Sequence, residues 1–148
     1  MSQAYRSTTP VEKLLNSAIN ALVALALSVP ALFLSLSLVQ LKLIIVTVFF
    51  LENLEAILFH NYQLPGMRIL GTRWKARYST SQQLVHAILY SASFSSLLFW
   101  VWYPGDLLLF NLLCLQLPCV LMTGTTLHGL LAGKMVDVKN LDGATSQL

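Results

Sequence analysis

The fold is decided by residues 84–133, which read LVHAILYSASFSSLLFWVWY-PGD-LLLFNLLCLQLPCVLMTGTTLHGLLAG. The first 20 of them form an apolar run that is long enough for a spanning helix. The run ends in tryptophan and tyrosine, which are typical of a membrane–water interface. Pro104-Gly105-Asp106 then predicts a turn, because proline presets one dihedral angle and glycine permits a reversed one. Residues 107–133 run back with a kink expected at Pro118, so this half predicts two antiparallel helices that span a bilayer.

The other apolar half, residues 14–51, is bent at Pro30. Its first arm reaches only about 24 Å at 1.5 Å per residue, whereas the hydrocarbon core of a bilayer is about 30 Å thick. The second arm carries Lys42, which costs about 2.5–3.5 kcal/mol at the centre of a spanning helix unless it finds a partner. These features favour a re-entrant hairpin, and two full spans are the alternative.

The composition indicates that the bilayer, rather than water, surrounds the chain. The 148 residues are 56% hydrophobic and only 10% charged, with a mean hydropathy of +0.69. A soluble domain usually carries about 25% charged residues. The charges cluster before, between and after the two apolar halves. Four arginine and lysine residues in the central segment place that side in the cytosol by the positive-inside rule.

The sequence thus predicts an all-α integral membrane protein, in which a re-entrant and a spanning hairpin are joined by a basic interfacial loop. The N-terminal region shares features with a signal peptide, but Pro30 follows the only suitable cleavage site, so we expect an uncleaved anchor. The predicted segments are a cytosolic N-terminus (1–13), the first hydrophobic hairpin (14–51), a cytosolic loop (52–83), the second hydrophobic hairpin (84–133, turn 104–106) and a cytosolic tail (134–148).

The central loop is expected to begin as a helix over residues 52–62 and then to lie among lipid headgroups. Basic side chains alternate there with apolar and aromatic ones, and anionic lipids attract such a segment by about 1 kcal/mol per base. An ordinary positive-inside loop without lipid affinity is the alternative. The residues predicted to contact headgroups are Arg68, Arg73, Trp74, Lys75 and Arg77.

A stripe of small residues predicts a helix-packing or partner interface. Thr125, Gly129 and Gly133 recur at four-residue spacing, which lets another helix approach closely. The alternative is that Gly133 simply ends the helix. The tail that follows is expected to form an amphipathic turn, a partner-docking peptide or a frayed terminus.

Serines in the apolar runs are candidate contacts to the ester groups of neutral lipid. Ser91 and Ser95 share one helical face, and their hydroxyls are the predicted contacts. The alternative is that each hydroxyl bonds back to a backbone carbonyl of the preceding turn, as serines in apolar helices usually do.

No pattern in the sequence predicts catalysis. His60, His86 and His128 are scattered along the chain, and no nucleophile elbow, metalloprotease pair or phosphate-binding glycine loop occurs. Cys114 and Cys119 lie in an apolar run without metal-ligand neighbours, so we expect small buried hydrophobes. The sequence therefore predicts no catalytic residue, no metal, no cofactor and no nucleic-acid partner.

Several stretches together resemble the promethin (lipid droplet assembly factor) family. They are the order of the two hairpins, the segment Asn61-Tyr62-Gln63-Leu64-Pro65-Gly66-Met67-Arg68 running on to Tyr78, and Leu127-His128-Gly129-Leu130-Leu131. The resemblance covers essentially the whole chain, is greatest to the yeast branch, and rests on layout rather than on a short diagnostic motif.

The resemblance implies a non-enzymatic partner of the seipin complex at junctions between the endoplasmic reticulum and lipid droplets. Neutral lipids and phospholipids are the implied ligands, several copies in an oligomeric assembly are expected, and the yeast branch is also associated with vacuole contact. Two rivals remain open. One is a small polytopic subunit of an unrelated membrane complex, and the other is a lipid-modifying enzyme that would depend on His60, His86 or His128.

Overall fold

The structure, a computed structural model, describes residues 5–141, and it is mostly helical. Expectations for residues 1–4 and 142–148 lie outside this part. Two helical segments, Pro10–Phe33 and Asp106–Thr123, are long and apolar enough to cross a membrane, judged by length and composition alone. The helices are α1 (Pro10–Leu27), α2 (Leu38–Phe59), α3 (Pro65–Leu70), α4 (Thr80–Ser95), α5 (Asp106–Thr123) and α6 (Leu127–Leu131); the strands are β1 (Tyr5–Ser7), β2 (Thr72–Trp74) and β3 (Asp137–Asn140).

Three of the long helices begin at a capping box, in which two side chains satisfy free backbone N–H groups at the helix start. The N-cap side chain accepts from the backbone of the third helical residue, and that residue's side chain accepts from the N-cap backbone. This local signal starts α1 and α4 four residues before the apolar runs. The pairs are Thr9 with Glu12, Ser37 with Gln40 and Ser79 with Gln82.

Pro30 lies in the connection between α1 and α2. A 3₁₀ helix, Val29–Phe33, follows α1, and α2 then runs without a break to Phe59. The helix expected over residues 52–62 is therefore the last part of α2. His60 caps α2, and Asn61 and Tyr62 leave the helix with positive φ angles of 50° and 59°.

The second half is less regular than predicted. Helix α4 ends at Ser95 instead of continuing to residue 103, and the hydroxyls of Ser95 and Ser96 donate to the carbonyls three residues earlier at 2.6 and 2.7 Å. Such bonds compete with the helical backbone pattern. In α5 a π-helical segment, Asn111–Gln116, precedes Pro118, whose ring cannot follow a regular turn. Helix α5 ends at Gly124, with φ +75°, so residues 107–133 do not form one helix.

A three-stranded antiparallel sheet, in the order β1-β3-β2, was not predicted, so the fold is not purely α-helical. Its central strand β3 pairs Lys139 with Arg6 on one side and Val138 with Arg73 on the other. The sheet brings the N-terminal segment, the central loop and the tail together. We call the end of the helices that carries this sheet the polar end, and the opposite end, with the α1–α2 and α4–α5 connections, the turn end.

Ion pairs tie the first and last segments together at the polar end. Lys13 is only 7% exposed, and its ammonium donates to the carboxylate of Asp137 and to the hydroxyl of Thr8 at 2.7 Å. Glu12 accepts from Arg6 at 2.5 and 2.7 Å and from Lys139 at 3.2 Å. The start of α1 is therefore fixed to the strand β3.

The two charges at the turn end are held by the chain itself. The ammonium of Lys42 lies 3.4 Å from the ring centroid of Trp100 and 5.3 Å from that of Phe99. The carboxylate of Asp106 accepts from the backbone N–H groups of Trp102 at 2.7 Å and Val101 at 3.1 Å. The rings of Trp100 and Phe99 thus provide the partner that a lysine within an apolar helix needs.

The core lies between α2 and α4 and contains aromatic rings and small residues. Phe49 stacks on Phe94 with 4.0 Å between ring centroids and meets Tyr90 edge-on at 5.0 Å. Ala56 and Ala87 are completely buried there, which allows the helices to approach closely. Large apolar side chains cover the outer faces instead, among them Leu22, Leu51, Leu121 and Met122. So much exposed apolar surface is typical of a protein that meets lipid or a partner.

Replacing Lys13 with methionine should lower the free energy of unfolding by about 3–5 kcal/mol, because it leaves the buried carboxylate of Asp137 without a cation. The double variant K13M/D137L should recover most of this loss, since no charge remains buried. Unfolding of the purified protein in detergent measures both. Equal stability of the single and double variants would contradict the role of Asp137 as the buried counterion of Lys13.

Replacing Trp100 with alanine should cost about 1 kcal/mol beyond the loss of apolar contact, because a cation loses its aromatic partner. Trp102 is 85% exposed and provides the matched control, W102A, for which we expect a smaller effect. A double-mutant cycle with K42M isolates the pair. A coupling energy of zero would contradict this account of Lys42.

Candidate functional site

A groove with a volume of about 530 Å³ lies between α1, α4 and α5. Its walls are apolar, with Leu14 and Ala18 on α1 facing Leu112 and Leu117 on α5. The volume falls within the ~300–1,000 Å³ that binding sites for small molecules usually have. We treat this groove as the candidate site.

Amide side chains attach α5 to α4 and to the start of α6. The Asn111 amide donates to the hydroxyls of Ser93 and Ser96 at 2.7 and 3.1 Å. Gln116 donates to the Asn111 oxygen at 3.1 Å and accepts from the backbone of Leu127 at 3.0 Å. Asn111 and Gln116 are the first and last residues of the π-helical segment, so the irregular part of α5 carries the bonds that position it.

A polar network connects α1 with α3 and α4 and reaches the groove at Ser17 and Tyr90. Asn20 is 1% exposed; its amide donates to the Tyr90 hydroxyl at 3.1 Å and accepts from the backbone of Gly66 at 2.7 Å. The Tyr90 hydroxyl donates to Ser17 at 3.1 Å. A side chain at position 66 would come within 2.4 Å of the backbone oxygen of Asn16, so this approach of α3 to α1 requires glycine. The network joins α1, α3 and α4.

A second network surrounds Tyr62, which is completely buried beside α2 and α4. Its hydroxyl lies 2.5 Å from Nδ1 of His86 and donates to Asn53 at 3.3 Å. Trp74 stacks on the Tyr62 ring and donates to its carbonyl at 2.6 Å. Burial, together with the nearby Tyr90, raises the pKa of Tyr62 well above its ordinary value, so the hydroxyl stays neutral. Tyr62 therefore links the central loop to both core helices.

His128 lies where the groove meets these networks. Its ring stacks on Tyr90 at 4.7 Å and meets His86 at 4.8 Å between centroids. The residue is 7% exposed, and its Nδ1 atom has no hydrogen-bond partner within residues 5–141. His86 and His128 are therefore in contact although they are 42 positions apart in the sequence. His60 is not part of this cluster, and its Nε2 atom lies 2.7 Å from a carboxylate oxygen of Glu55.

The structure places the small residues 125, 129 and 133 differently from the continuous stripe that their spacing indicates. Thr125 precedes α6 and donates to the carbonyl of Met135 at 2.5 Å. Gly129 lies against the same carbonyl, which a side chain there would meet at 2.9 Å. Gly133 follows the helix with φ +105°. Thr125 and Gly129 pack within the chain; an interface with a partner at these residues stays a prediction.

The two candidate serines also differ from each other. Ser91 is buried, and its hydroxyl has no hydrogen-bond partner in the part of the chain that the structure describes. The hydroxyl of Ser95 donates to the carbonyl of Ala92 at 2.6 Å, which agrees with backbone bonding as the alternative. Neither residue lines the groove. Contact of these hydroxyls with neutral lipid stays a prediction.

The basic residues of the central loop are exposed around β2. Arg68, Lys75 and Arg77 are open to the surroundings, and Arg73 packs its guanidinium 4.3 Å from the centre of the Tyr5 ring. Trp74 differs from them, because it is half-buried in the network of Tyr62. Exposure of the four bases fits headgroup contact, whereas Trp74 is a core residue.

The sequence reasoning missed the buried polar residues. Asn20 lies within α1 and Asn53 within α2. A buried amide needs a hydrogen-bond partner, so an asparagine in an apolar helix was the signal that could have identified them. Their partners, Tyr90, Gly66 and Tyr62, are distant in the sequence, so no local pattern could identify them. One expectation about the cysteines was wrong, because Cys114 is exposed on α5 and Cys119 is only partly buried.

Replacing Tyr62 with phenylalanine should lower the free energy of unfolding by about 1–3 kcal/mol, because Asn53 and His86 lose a buried hydrogen-bond partner. Tyr103 is exposed at the turn end and provides the control, Y103F, for which we expect no change. Unfolding in detergent measures both variants. Equal stability of the two would show that the buried hydroxyl does not hold the loop.

Comparisons of the chain with protein-family models, with curated proteins and with solved structures find no match. The resemblance to the promethin family therefore has only the residues named above in its support. What the chain does is argued below from its own geometry.

Proposed function

We propose that the chain is an integral membrane protein of the endoplasmic reticulum that also occupies the surface of lipid droplets. There it binds neutral lipid and phospholipid as a non-enzymatic accessory of the seipin complex. The observation that carries the proposal is the separation of charge along the molecule. The sheet and its ion pairs gather the charged segments at the polar end, while Lys42 and Asp106 are held internally at the turn end.

This separation suits a droplet surface for a physical reason. A droplet has a single phospholipid layer over an oil interior, so a resident protein cannot keep a hydrated domain on the inner side. A backbone group left without a hydrogen bond there costs several kcal/mol, so only helices enter such an interior. In this proposal α1 with α2 and α4 with α5 are two hairpins whose turn ends point away from the cytosol. In a droplet both turn ends lie in oil, whereas in the bilayer of the endoplasmic reticulum the first ends within lipid and the second reaches the lumenal face. The polar end then lies in the cytosol.

The exposed bases support the proposed orientation. Arg68, Lys75 and Arg77 lie at the polar end, where each attracts anionic headgroups by about 1 kcal/mol. The aromatic residues Trp100 and Trp102 lie at the opposite end and are exposed. Assembly with seipin and contact with the vacuole rest on the family resemblance. The exposed apolar faces of α1 and α5 are the surfaces on which other membrane helices and further copies would pack.

Single-cysteine labelling tests the orientation in a variant without Cys114 and Cys119. Cysteine at position 33, where Phe33 is 85% exposed, should be protected from both sides if the first hairpin is re-entrant. Cysteine in place of Trp102 should react with an impermeant reagent from the lumenal side only, because the second hairpin spans. Cysteine in place of Ala76 should react from the cytosol.

Two results would contradict the proposal: labelling of position 33 or 102 from the cytosol, or labelling of position 76 from the lumen. A second measurement tests the droplet location. After lipid loading and carbonate washing, a pool of the full chain should float with the droplets. Recovery in the membrane pellet alone would instead favour a subunit of an unrelated membrane complex.

A further inference from the structure

We propose that Thr80 is a phosphorylation site for a protein kinase that recognises basic residues, and that the phosphate weakens the contact of the central loop with anionic headgroups. The proposal rests on the proposed function for two points, namely that the polar end faces the cytosol and that its bases meet headgroups. Its own support is the accessibility of Thr80, the bases that share its part of the polar end, and a comparison with a second threonine of the same sequence pattern.

Two threonines have an arginine three positions before them, a charge pattern that basophilic kinases select with acidic side chains of their own. They are Thr80, which follows Arg77, and Thr9, which follows Arg6. Thr80 also has Lys75 five positions before it. No aspartate or glutamate occurs in residues 56–105, so no acid in the surrounding sequence repels the acidic side chains of such a kinase.

The structure makes the pattern at Thr9 hard to reach. The guanidinium of Arg6 donates to the carboxylate of Glu12 at 2.5 and 2.7 Å, and the residue itself lies in the strand β1. The Thr9 hydroxyl belongs to the capping box with Glu12. A kinase binds this segment only after the ion pair and the strand are broken. Thr9 is therefore a poor substrate in spite of its sequence.

Thr80 meets none of these obstacles. The threonine and both of its upstream bases are exposed, and residues 75–79 belong to no helix or strand. The capping box at the start of α4 uses Ser79 and Gln82 and leaves the Thr80 hydroxyl out. Thr80 is the first residue of α4, where backbone N–H groups have no partner within the helix. Opening this first turn for a kinase therefore breaks few bonds.

Three exposed bases share this part of the polar end. Lys75 and Arg77 precede the acceptor, and the segment after α6 carries Lys134 to the same region. The backbone N–H of Lys75 donates to the carbonyl of Val136 at 2.8 Å, and the backbone N–H of Val136 donates to the hydroxyl of Tyr78 at 2.9 Å. A phosphate on Thr80 therefore enters a surface of positive charge.

Phosphorylation reverses much of that charge. The threonine Oγ attacks the γ-phosphorus of a nucleoside triphosphate, the bond to the oxygen that bridges the β- and γ-phosphates breaks, the diphosphate leaves, and the hydroxyl proton passes to a base of the kinase. The product carries a charge of about −1.5 to −2, which offsets about two of the three bases. A negative charge is favourable at a helix N-terminus, so the phosphate is compatible with α4. The modification thus removes attraction to headgroups and leaves the fold in place.

Phosphorylation of the full chain in phosphatidylcholine nanodiscs tests the site. The enzymes are the catalytic subunit of cyclic-AMP-dependent kinase, which selects arginine before the acceptor, and an acidophilic casein kinase, which selects acids after it. With the first enzyme and ATP we expect phosphate at Thr80, mapped by mass spectrometry, and with the second none at this residue. An absence of phosphate at Thr80 with the first enzyme, or as much at Thr9 as at Thr80, would overturn the assignment.

Matched variants test the recognition of Arg77. The rate of phosphorylation should fall at least about tenfold in R77Q, as expected from the loss of one hydrogen bond to a charged group. Arg68 is exposed on α3 outside the pattern, so R68Q provides the control with the same loss of charge and should keep the wild-type rate. Equal rates in the two variants would show that the kinase does not read this pattern.

Spin-labelled phosphatidylserine and phosphatidylcholine measure the consequence, through the ratio of their association constants with the reconstituted chain. Phosphorylation should lower this ratio about threefold, because about two bases are offset. In about 1 M salt the difference should disappear, since charges are then screened beyond about 3 Å. A ratio that phosphorylation leaves unchanged at low salt would overturn the role of the phosphate.

Failure of this proposal is distinct from failure of the proposed function. A chain whose position 76 is labelled from the cytosol, but whose Thr80 takes no phosphate, retains the function and loses the site. Nanodiscs expose both faces to the kinase. A chain that takes phosphate at Thr80 there, but whose position 76 is labelled from the lumen, loses the proposed orientation instead.

Discussion

The buried ion pair between Lys13 and Asp137 joins the start of the first long helix to the last strand, and the arrangement of the polar end depends on it. A buried ammonium without a counterion is destabilising by several kcal/mol, so α1 is stable in this position only with β3 beside it. Once β3 is fixed, its two edges order β1 and β2, and the central loop is held against the helices. The same pair neutralises the polar end of the groove. Lys13 and Asp137 are 124 positions apart, and their contact holds the first helix against the last strand. The same contact leaves the candidate site without a net charge at its polar end.

Polar side chains, rather than apolar ones, specify how the helices of this apolar chain are arranged. Apolar packing distinguishes poorly between arrangements when the surroundings are also apolar, whereas a buried amide or hydroxyl has few acceptable partners. Asn20 fixes α3 and α4 against α1, and Tyr62 fixes the central loop against α2 and α4. Asn111 and Gln116 connect α5 to α4 by side-chain hydrogen bonds, whereas within residues 5–141 no side-chain hydrogen bond joins α5 to α1, and the groove lies between them.

The sequence predicted what depends on composition and on strong local signals. Helix α1 ends at Leu27, and a 3₁₀ helix that contains Pro30 follows it, because a proline ring disfavours the regular helical turn that precedes it. Pro118 was harder to judge, because a wider π-helical segment before it absorbs the disturbance and the helix continues. The early end of α4 depends on hydroxyls that bond to the backbone, a competition that hydrophobicity does not reveal. The sheet could not be predicted, because its strands have three or four residues and pair across most of the chain. For the same reason, the contact of His86 with His128 and the groove itself follow only from tertiary structure.

The contact of Lys42 with the face of Trp100 has a further consequence for movement. Attraction between an ammonium and an aromatic face depends on distance far more than on the angle around the ring axis, unlike a hydrogen bond. This contact therefore tolerates rotation of the Trp100 ring in its own plane, whereas the hydrogen bonds of the buried amide of Asn20 are directional and fix their partners in one arrangement.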